Sequence, residues 1–299
     1  MSRETSAGTG KPYGLERVCR VLEFPRSTIY AQQARESAKV VPLHPQRRGP
    51  KPKLSDADLL VVIRADLEAS PFTGEGHRKV WARLRILRDI RVSRARVLRL
   101  MRENALLSPH RRPQGDPKRH DGSITTDRPN EMWGTDGIRV QTVDEGWVWV
   151  FSAVDHFDAC CVGIHTVKTG NRFAALQPIA QGLHTEFGAT GADAGRGLAL
   201  RMDHGTQYTA DDFLNQVRFW GIAPSFAFVA EPQTNGVAER FNRTLKEQAI
   251  HGRIFKNVEE VRDTVTEFRD RYNRHWRHEK LGFMSPLEAR QAYAMRKAA

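Results

Sequence analysis

Cysteine is scarce in this chain: Cys19, Cys160 and Cys161 are the only three among 299 residues, an odd number at spacings that suit neither a disulfide framework nor a zinc site. A small disulfide-stapled secreted scaffold is thereby excluded, and a reducing cytosol is the simplest expected compartment. Long apolar runs are missing too, none approaching the ~18 residues of a membrane span. The polar stretch Met1 to Lys11 is not followed by the apolar region of a secretory signal. These absences lead to the expectation of a cytoplasmic protein with no membrane partner. Negative charge is what the N-terminal part lacks. Residues 1–128 hold 27 Lys and Arg against 14 Asp and Glu, and the remainder holds 20 against 21, so the whole formal excess of +12 lies in the first two fifths. That asymmetry points to nucleic-acid or anionic-surface binding ahead of a near-neutral domain, although a merely solubilising basic region has the same composition.

What is present begins with two acids. Leu198-Ala199-Leu200-Arg201-Met202 is a short apolar run ending in Asp203-His204-Gly205, the pattern of a buried strand that delivers a carboxylate to a turn. After 35 intervening residues comes Glu239, just inside a helix expected to start after Gln233-Thr234-Asn235-Gly236. Glu239, Arg243 and Lys246 follow at i, i+4 and i+7, so one face carries a carboxylate and two cations. Such a carboxylate pair suits Mg²⁺, and the cations suit an anion such as a phosphate backbone.

In chain order, Gly14 to Arg35 reads as two short helices broken at Phe24-Pro25, the second opening on Arg26, Ser27 and Thr28. That layout fits a helix-turn-helix over residues 1–35 and fits equally a helical hairpin that binds nothing. Residues 36–53, with Pro42, Pro45, Pro50 and Pro52 among Lys39, Arg47, Arg48, Lys51 and Lys53, form a basic linker that can track phosphates or serve as a solvated tether. Three helices are expected over residues 54–109, after caps at Ser55 and Ser93, as a second DNA-binding domain. Its later two helices are expected to expose Arg78, Lys79, Arg83, Arg85, Arg88, Arg91, Arg94, Arg96, Arg99 and Arg102. A second basic linker, 110–128, marks the boundary.

After Trp133 the periodicity becomes strand-like: Gly134 to Val140, Trp147 to Val154 and Cys160 to Val167 read as a meander, with Asp136 on its first strand. A helix from Asn171 to Phe187, the strand ending at Asp203, a helix capped by Thr209, a strand from Ile222 to Phe228 and the Glu239 helix complete a βββαβαβα core. Asn257 with Glu260 resembles a capping box for a later helix, and Arg274 to Ala299 reads as a polar tail. The core is assigned to 129–251 and a C-terminal helix and tail to 252–299. This order would bring Asp136, Asp203 and Glu239 together on a mixed sheet, where three carboxylates suit two Mg²⁺ ions and in-line phosphoryl transfer with no Ser or Cys nucleophile. Taken singly, Asp136 also reads as a solvated strand residue, Asp203 as a turn former and Glu239 as a helix-start acid.

Jointly the motifs are far more specific. Trp133-x-x-Asp136, Met202-Asp203-His204-Gly205-Thr206-Gln207-Tyr208, and Pro232-Gln233-Thr234-Asn235-Gly236-Val237-Ala238-Glu239-Arg240-Phe241 with Lys246 resemble the catalytic signature of insertion-sequence transposases. More narrowly they are similar to the orfB-type transposases of the insertion sequence three family, whose core resembles retroviral integrases. Gly74-Glu75-Gly76-His77-Arg78-Lys79-Val80 and Arg99-Leu100-Met101-Arg102-Glu103 resemble that family's second helical domain. Tyr272-Asn273, His278, Leu281-Gly282 and Ser285-Pro286 resemble its C-terminal motif, with Trp276-Arg277 where the family usually has Arg and then Pro.

The resemblance implies an α/β catalytic core of RNase H-like type, a mixed five-stranded sheet with flanking helices, preceded by small all-α helix-turn-helix domains. It implies Asp136, Asp203 and Glu239 as catalytic residues and ligands of two Mg²⁺ ions, with Mn²⁺ as a substitute. Lys246 is then a contact to element-end DNA, with Arg243, Asn235, Arg26, Ser27, Thr28, Arg47, Arg48, Arg78, Lys79, Arg94 and Arg96 as further candidate DNA contacts. It implies terminal inverted repeats and target DNA as partners, a homo-oligomer that synapses the ends, and a bacterial nucleoid-associated location. No sustained heptads occur, so an upstream-frame orfA protein is a further expected partner. Two other functions share parts of the pattern: an inactive DNA-binding regulator, which has no need of all three acids, and an RNase H-type nuclease, which has no need of the flanking basic domains.

Overall fold

The computed structural model describes residues 4–37, 53–108, 125–227 and 235–298. The chain divides into two compact units, Met1–Ser55 and Asp56–Ala299. In the first, α1 (Leu15–Val21) and α2 (Arg26–Ser37) are separated by a short bend. Cys19 is buried, whereas Val21, Leu22, Phe24 and Tyr30 are exposed, so this helix pair has little apolar core of its own. Arg26 opens α2 and reaches back to Glu16 at 3.5 Å.

The second unit begins with α3 (Asp56–Ala69), α4 (His77–Arg88) and α5 (Arg94–Glu103). Leu59, Ile63, Val80, Leu84, Val97, Leu100 and Met101 are buried, the i, i+3, i+4 spacing of amphipathic helices. Ser93 caps α5, its Oγ accepting the Arg96 N–H at 3.2 Å. Asp89 closes α4 in the left-handed region at φ 48°, a conformation Asp tolerates better than most residues.

A five-stranded sheet follows, in the order β3-β2-β1-β4-β5. β1 (Met132–Thr142), β2 (Gly146–Asp155) and β3 (Cys161–Val167) form the antiparallel meander, while β4 (Ala199–Met202) and β5 (Ala223–Phe226) continue it in parallel. On one face α6 (Arg172–Phe187) and α8 (Asp211–Phe219) cover Trp133, Phe151, Leu200 and Met202. α6 comes close because Gly163 and Gly182 have no side chains: a Cβ on Gly163 would overlap the Pro178 carbonyl, and one on Gly182 would lie 2.8 Å from the Trp133 ring. On the other face α9 (Gly236–Leu245), its π-helical continuation Lys246–Ile250, and α10 (Val258–His275) pack Phe241, Leu245, Val265, Phe268 and Tyr272 against Ile138, Val140 and Val150.

Three local expectations are corrected. Thr209 does not cap a helix. It ends a short helical turn, α7 (Thr206–Thr209), its hydroxyl facing the Gly205 carbonyl at 3.4 Å, and α8 starts at Ala210 without a side-chain cap. Asn257 Oδ1 accepts the Glu260 N–H at 3.1 Å, but the Glu260 carboxylate turns to the Lys256 N–H at 2.7 Å rather than to Asn257, which shifts the reciprocal half of the cap by one residue. The tail is largely helical: after a 3₁₀ turn, Glu279–Leu281, α11 runs from Pro286 to Ala298. The Arg290 guanidinium and the Tyr293 ring, 5.4 Å from that of Phe157, tie it to the turn after β2. That guanidinium reaches the buried carboxylates of Asp155 and Asp158 at 2.8 Å each and also pairs with Glu186.

Candidate active site

β1 pairs in parallel with β4 through Met132↔Ala199, Trp133↔Leu200 and Gly134↔Arg201. Carried two residues further, this register sets Asp203 level with Asp136. Asp136 shares strand parity with Ile138 and Val140, so it faces the α9 side of the sheet. Glu239 lies in the first turn of α9. β1, the turn after β4 and the start of α9 therefore carry Asp136, Asp203 and Glu239.

Electrostatics place the three within each other's fields. Asp136 is raised above the ordinary carboxylate range, first by burial and also by the charge of Asp203. Glu239 is raised by burial, then by Asp136, with Asp203 adding to it and Arg243 opposing. Beneath them Tyr208 is fully buried, and burial with the fields of Asp136 and Asp203 pushes its hydroxyl up, so it stays protonated. Among the described residues no three His, Cys, Asp or Glu side chains already stand close enough together to enclose a metal ion. The donor set is still that of a hard divalent cation: oxygen ligands only, bearing like charges whose repulsion a cation would relieve.

Asp136 and Asp203 are held by hydrogen bonds. Asp136 Oδ2 accepts from Asn242 Nδ2 at 2.9 Å and Oδ1 accepts from the Gly137 N–H at 2.7 Å. Asn242 is buried, and its Oδ1 accepts from the Ser152 hydroxyl at 3.1 Å, which fixes the amide's orientation from β2. Asp203 Oδ1 accepts the Gly205 N–H at 2.9 Å. His204 Nε2 lies 2.9 Å from the Ala227 carbonyl, and its ring stacks on Phe226, tying the Asp203 turn to β5. Sequence reasoning missed Asn242 and Ser152. The readable signal was a polar residue beside Phe241 on the buried stripe of an amphipathic helix.

Two family models described as integrase core domain match residues 126–232 and 220–286, and one described as an HTH-like domain matches 56–114. The transposase for insertion sequence element IS629 of Shigella sonnei is 27% identical over 94% of this chain and 93% of its own length. Transposase InsD for insertion element IS2 of Escherichia coli is 28% identical over 78% of each. The chain belongs to the integrase-core transposases of insertion sequences. Among solved structures, the catalytic core domain of BIV integrase is 17% identical over 57% of this chain and 99% of that one, with a TM-score of 0.40. The HTLV-2 integrase core in complex with magnesium is 18% identical over 40% and 69%, with a TM-score of 0.31. Both overlaps are too partial to add to what the strand order shows.

In this transposase the candidate DNA contacts separate into distinct groups. Lys246, half-buried at the start of the π-helical turn, acts on Asp136 by lowering its pKa, and exposed Arg243 does the same for Glu239. Arg78 and Arg94 are exposed, and Arg26, Ser27 and Thr28 occupy the first turn of α2 in the other unit. Arg47 and Arg48 lie outside the described residues.

Three candidates require correction, and so does Arg83. Asn235 is 3% exposed, its Nδ2 donating to the Thr135 carbonyl at 3.0 Å, so it ties the start of α9 to β1 instead of facing DNA. Lys79 lies over the Trp276 ring, 2.7 Å from its centroid, and pairs with Glu75. Arg96 is largely covered and pairs with Asp56 at 2.6 Å. Arg83 is buried between Asp66, at 2.8 Å, and Glu75. Part of the basic density that reads as a DNA face in sequence is therefore spent inside the protein, because helix α3 supplies acids directly opposite.

Proposed function

We propose that this transposase binds the terminal inverted repeats of its element, and that Asp136, Asp203 and Glu239 hold two Mg²⁺ ions, with Mn²⁺ able to substitute, for strand cleavage and strand transfer. The observation that carries this reading is the β1–β4 register that sets Asp203 level with Asp136 on a sheet covered by the helix that Glu239 opens, with Asn242 of that helix bonded to Asp136 at 2.9 Å. When bound, the metal pair would lower the pKa of the attacking water or hydroxyl and stabilise charge on the attacking and leaving oxygens.

The protein's own residues prepare that chemistry. Asn242 and the Gly137 N–H hold the Asp136 carboxylate, and the Gly205 N–H holds that of Asp203. Lys246 and Arg243 meet the phosphates of the element end beside the acids. Water breaks the P–O3′ bond at the element end and leaves a 3′ hydroxyl. That hydroxyl then attacks a target phosphodiester, forming one P–O bond as another breaks, with no covalent protein intermediate. A homo-multimer synapses the two ends, with an orfA protein from an upstream frame as a further partner. The working division is a helix-turn-helix at 1–35, a second DNA-binding domain at 54–109, the core at 129–251 and a C-terminal segment at 252–299, joined by basic linkers.

The test is a labelled element-end duplex incubated with protein, Mg²⁺ or Mn²⁺, and the upstream factor. Joined products are expected from the native chain and not from Asp203→Ala or Glu239→Gln, both of which should still bind the duplex. Native-level joining by either variant would end the three-acid reading. Cutting without joining under conditions that support synapsis would favour a nuclease.

A further inference from the structure

We propose that Glu279 is an internal stand-in for a DNA phosphate: in the free protein its carboxylate occupies a cationic cluster built by Arg78, Arg94 and Arg102, and DNA displaces it on binding. The inference rests on the reading that the HTH-like segment engages DNA, and it adds the point of phosphate contact and its internal competitor.

The cluster is geometric. Arg78, the second residue of α4, approaches Glu279 Oε2 at 2.6 Å, and Arg94, the first residue of α5, approaches Oε1 at 3.6 Å. The three side chains are about half exposed, at 57%, 51% and 49%, so a polyanion can reach them from solvent. Arg102 stands exposed eight residues further along α5. All three guanidiniums act on His77. Burial first, and then Arg78, Arg94 and Arg102, lower its pKa, while Glu279 opposes them. His77 is therefore neutral near pH 7, and the cluster holds three positive charges against one negative. That surplus favours a phosphodiester backbone, whose successive charges can answer more than one arginine, over a lone carboxylate.

Glu279 does not wander into this position, because the surrounding surface fixes it. Its neighbour Lys280 donates to the His156 carbonyl at 2.9 Å, anchoring the 3₁₀ turn to the core. The α4 side is docked alongside by Lys79 over Trp276, by the Phe72 and Trp276 rings at 4.8 Å, and by Trp81 against Phe283 at 5.8 Å. Gln248, two residues beyond Lys246, exchanges two hydrogen bonds with the Thr73 backbone at 3.0 and 2.9 Å. The cationic cluster is thus covered by an acid carried on the catalytic core's own C-terminal segment.

Exposed ion pairs are weak, so the competition is modest and readable as an affinity change. For the full chain and an element-end duplex, measured by fluorescence anisotropy at low salt, Glu279→Gln should tighten binding about three- to tenfold. It should also steepen the salt dependence by about one phosphate's worth of released counterion. Arg78→Ala with Arg94→Ala should weaken binding and flatten that slope. Circular dichroism reports whether each variant folds, and Glu279→Asp, which keeps the charge on a shorter stem, supplies a second reading by falling between native and Glu279→Gln. If the arginine variant weakens binding while Glu279→Gln leaves affinity and salt slope unchanged, or weakens them, the competition does not exist. If neither variant changes binding, the HTH-like segment is not the DNA contact and both readings fall.

Discussion

Replacing Asn242 by alanine should expose how strongly the site depends on a buried residue behind the acids. Its Nδ2 donates to Asp136 at 2.9 Å, its Oδ1 receives the Ser152 hydroxyl at 3.1 Å, and the side chain is 3% exposed. Burial raises the Asp136 pKa more than any other effect, and the Asn242 hydrogen bond is the largest influence lowering it. Removing that bond moves the pKa up further, so protons compete with cation binding at higher pH. A hydrogen bond to a charged group contributes about 1.5–3 kcal/mol, equivalent to a factor of about 10 to 100 in an equilibrium constant. In the Asn242→Ala protein, cleavage of a labelled element end should therefore need about ten- to a hundredfold more Mg²⁺ for half-maximal rate. The acidic limb of its pH–rate profile should move to higher pH. The Ser152 hydroxyl left without its acceptor costs about 1–3 kcal/mol of stability, so thermal unfolding is followed in parallel. An unchanged Mg²⁺ midpoint and an unmoved acidic limb in a folded Asn242→Ala protein would refute the positioning role.

Two stability predictions follow from other buried charges. Arg290→Met leaves Asp155 and Asp158 buried and unpaired, at an expected cost of about 3–5 kcal/mol. Asp155 is already pushed up to about 7 by burial and then by Asp158. Arg290 opposes that rise, so without it the native form keeps a proton that the unfolded chain has released, and the deficit of the variant should grow as pH rises through about 7 in urea unfolding. His156 and His278 behave oppositely: burial lowers them to about 4 and about 3, with Lys280 adding to both. The unfolded chain binds protons at these histidines below pH ~6.5, so native stability should fall on acidification from there, by up to about 1.4 kcal/mol per pH unit for each. Substituting His278 by Gln should flatten that slope, and an unaltered slope in denaturation measured between pH 4.5 and 6.5 would show that this ring is not responsible.

Sequence alone determined the order of the main strands and helices up to α10, because the alternation at Ile138–Val140 and the short apolar run Trp147–Val154 are strand-like, and the stripes in α6, α9 and α10 have helical spacing. It also determined the spacing of the three acids, since Asp136, Asp203 and Glu239 sit inside motifs whose local chemistry is strand, turn and helix start. Charge asymmetry was legible for the same reason: net charge depends on composition and not on packing. What only the tertiary structure decided is where each polar side chain finds its partner. Lys79, Arg83 and Arg96 look like solvent-facing cations until Trp276, Asp66 and Asp56 are brought beside them from other elements. Asn235 carries no mark in one dimension that separates a DNA contact from a bond to Thr135, and the place of Asn242 on a buried stripe signals burial without naming Asp136 as its partner. Long-range pairing also docks the C-terminal helix, where Arg290 meets carboxylates 132 and 135 positions earlier and Tyr293 meets the Phe157 ring. Hydrophobic periodicity is a local property, written along the chain, whereas the partner of a buried charge is fixed by the three-dimensional fold.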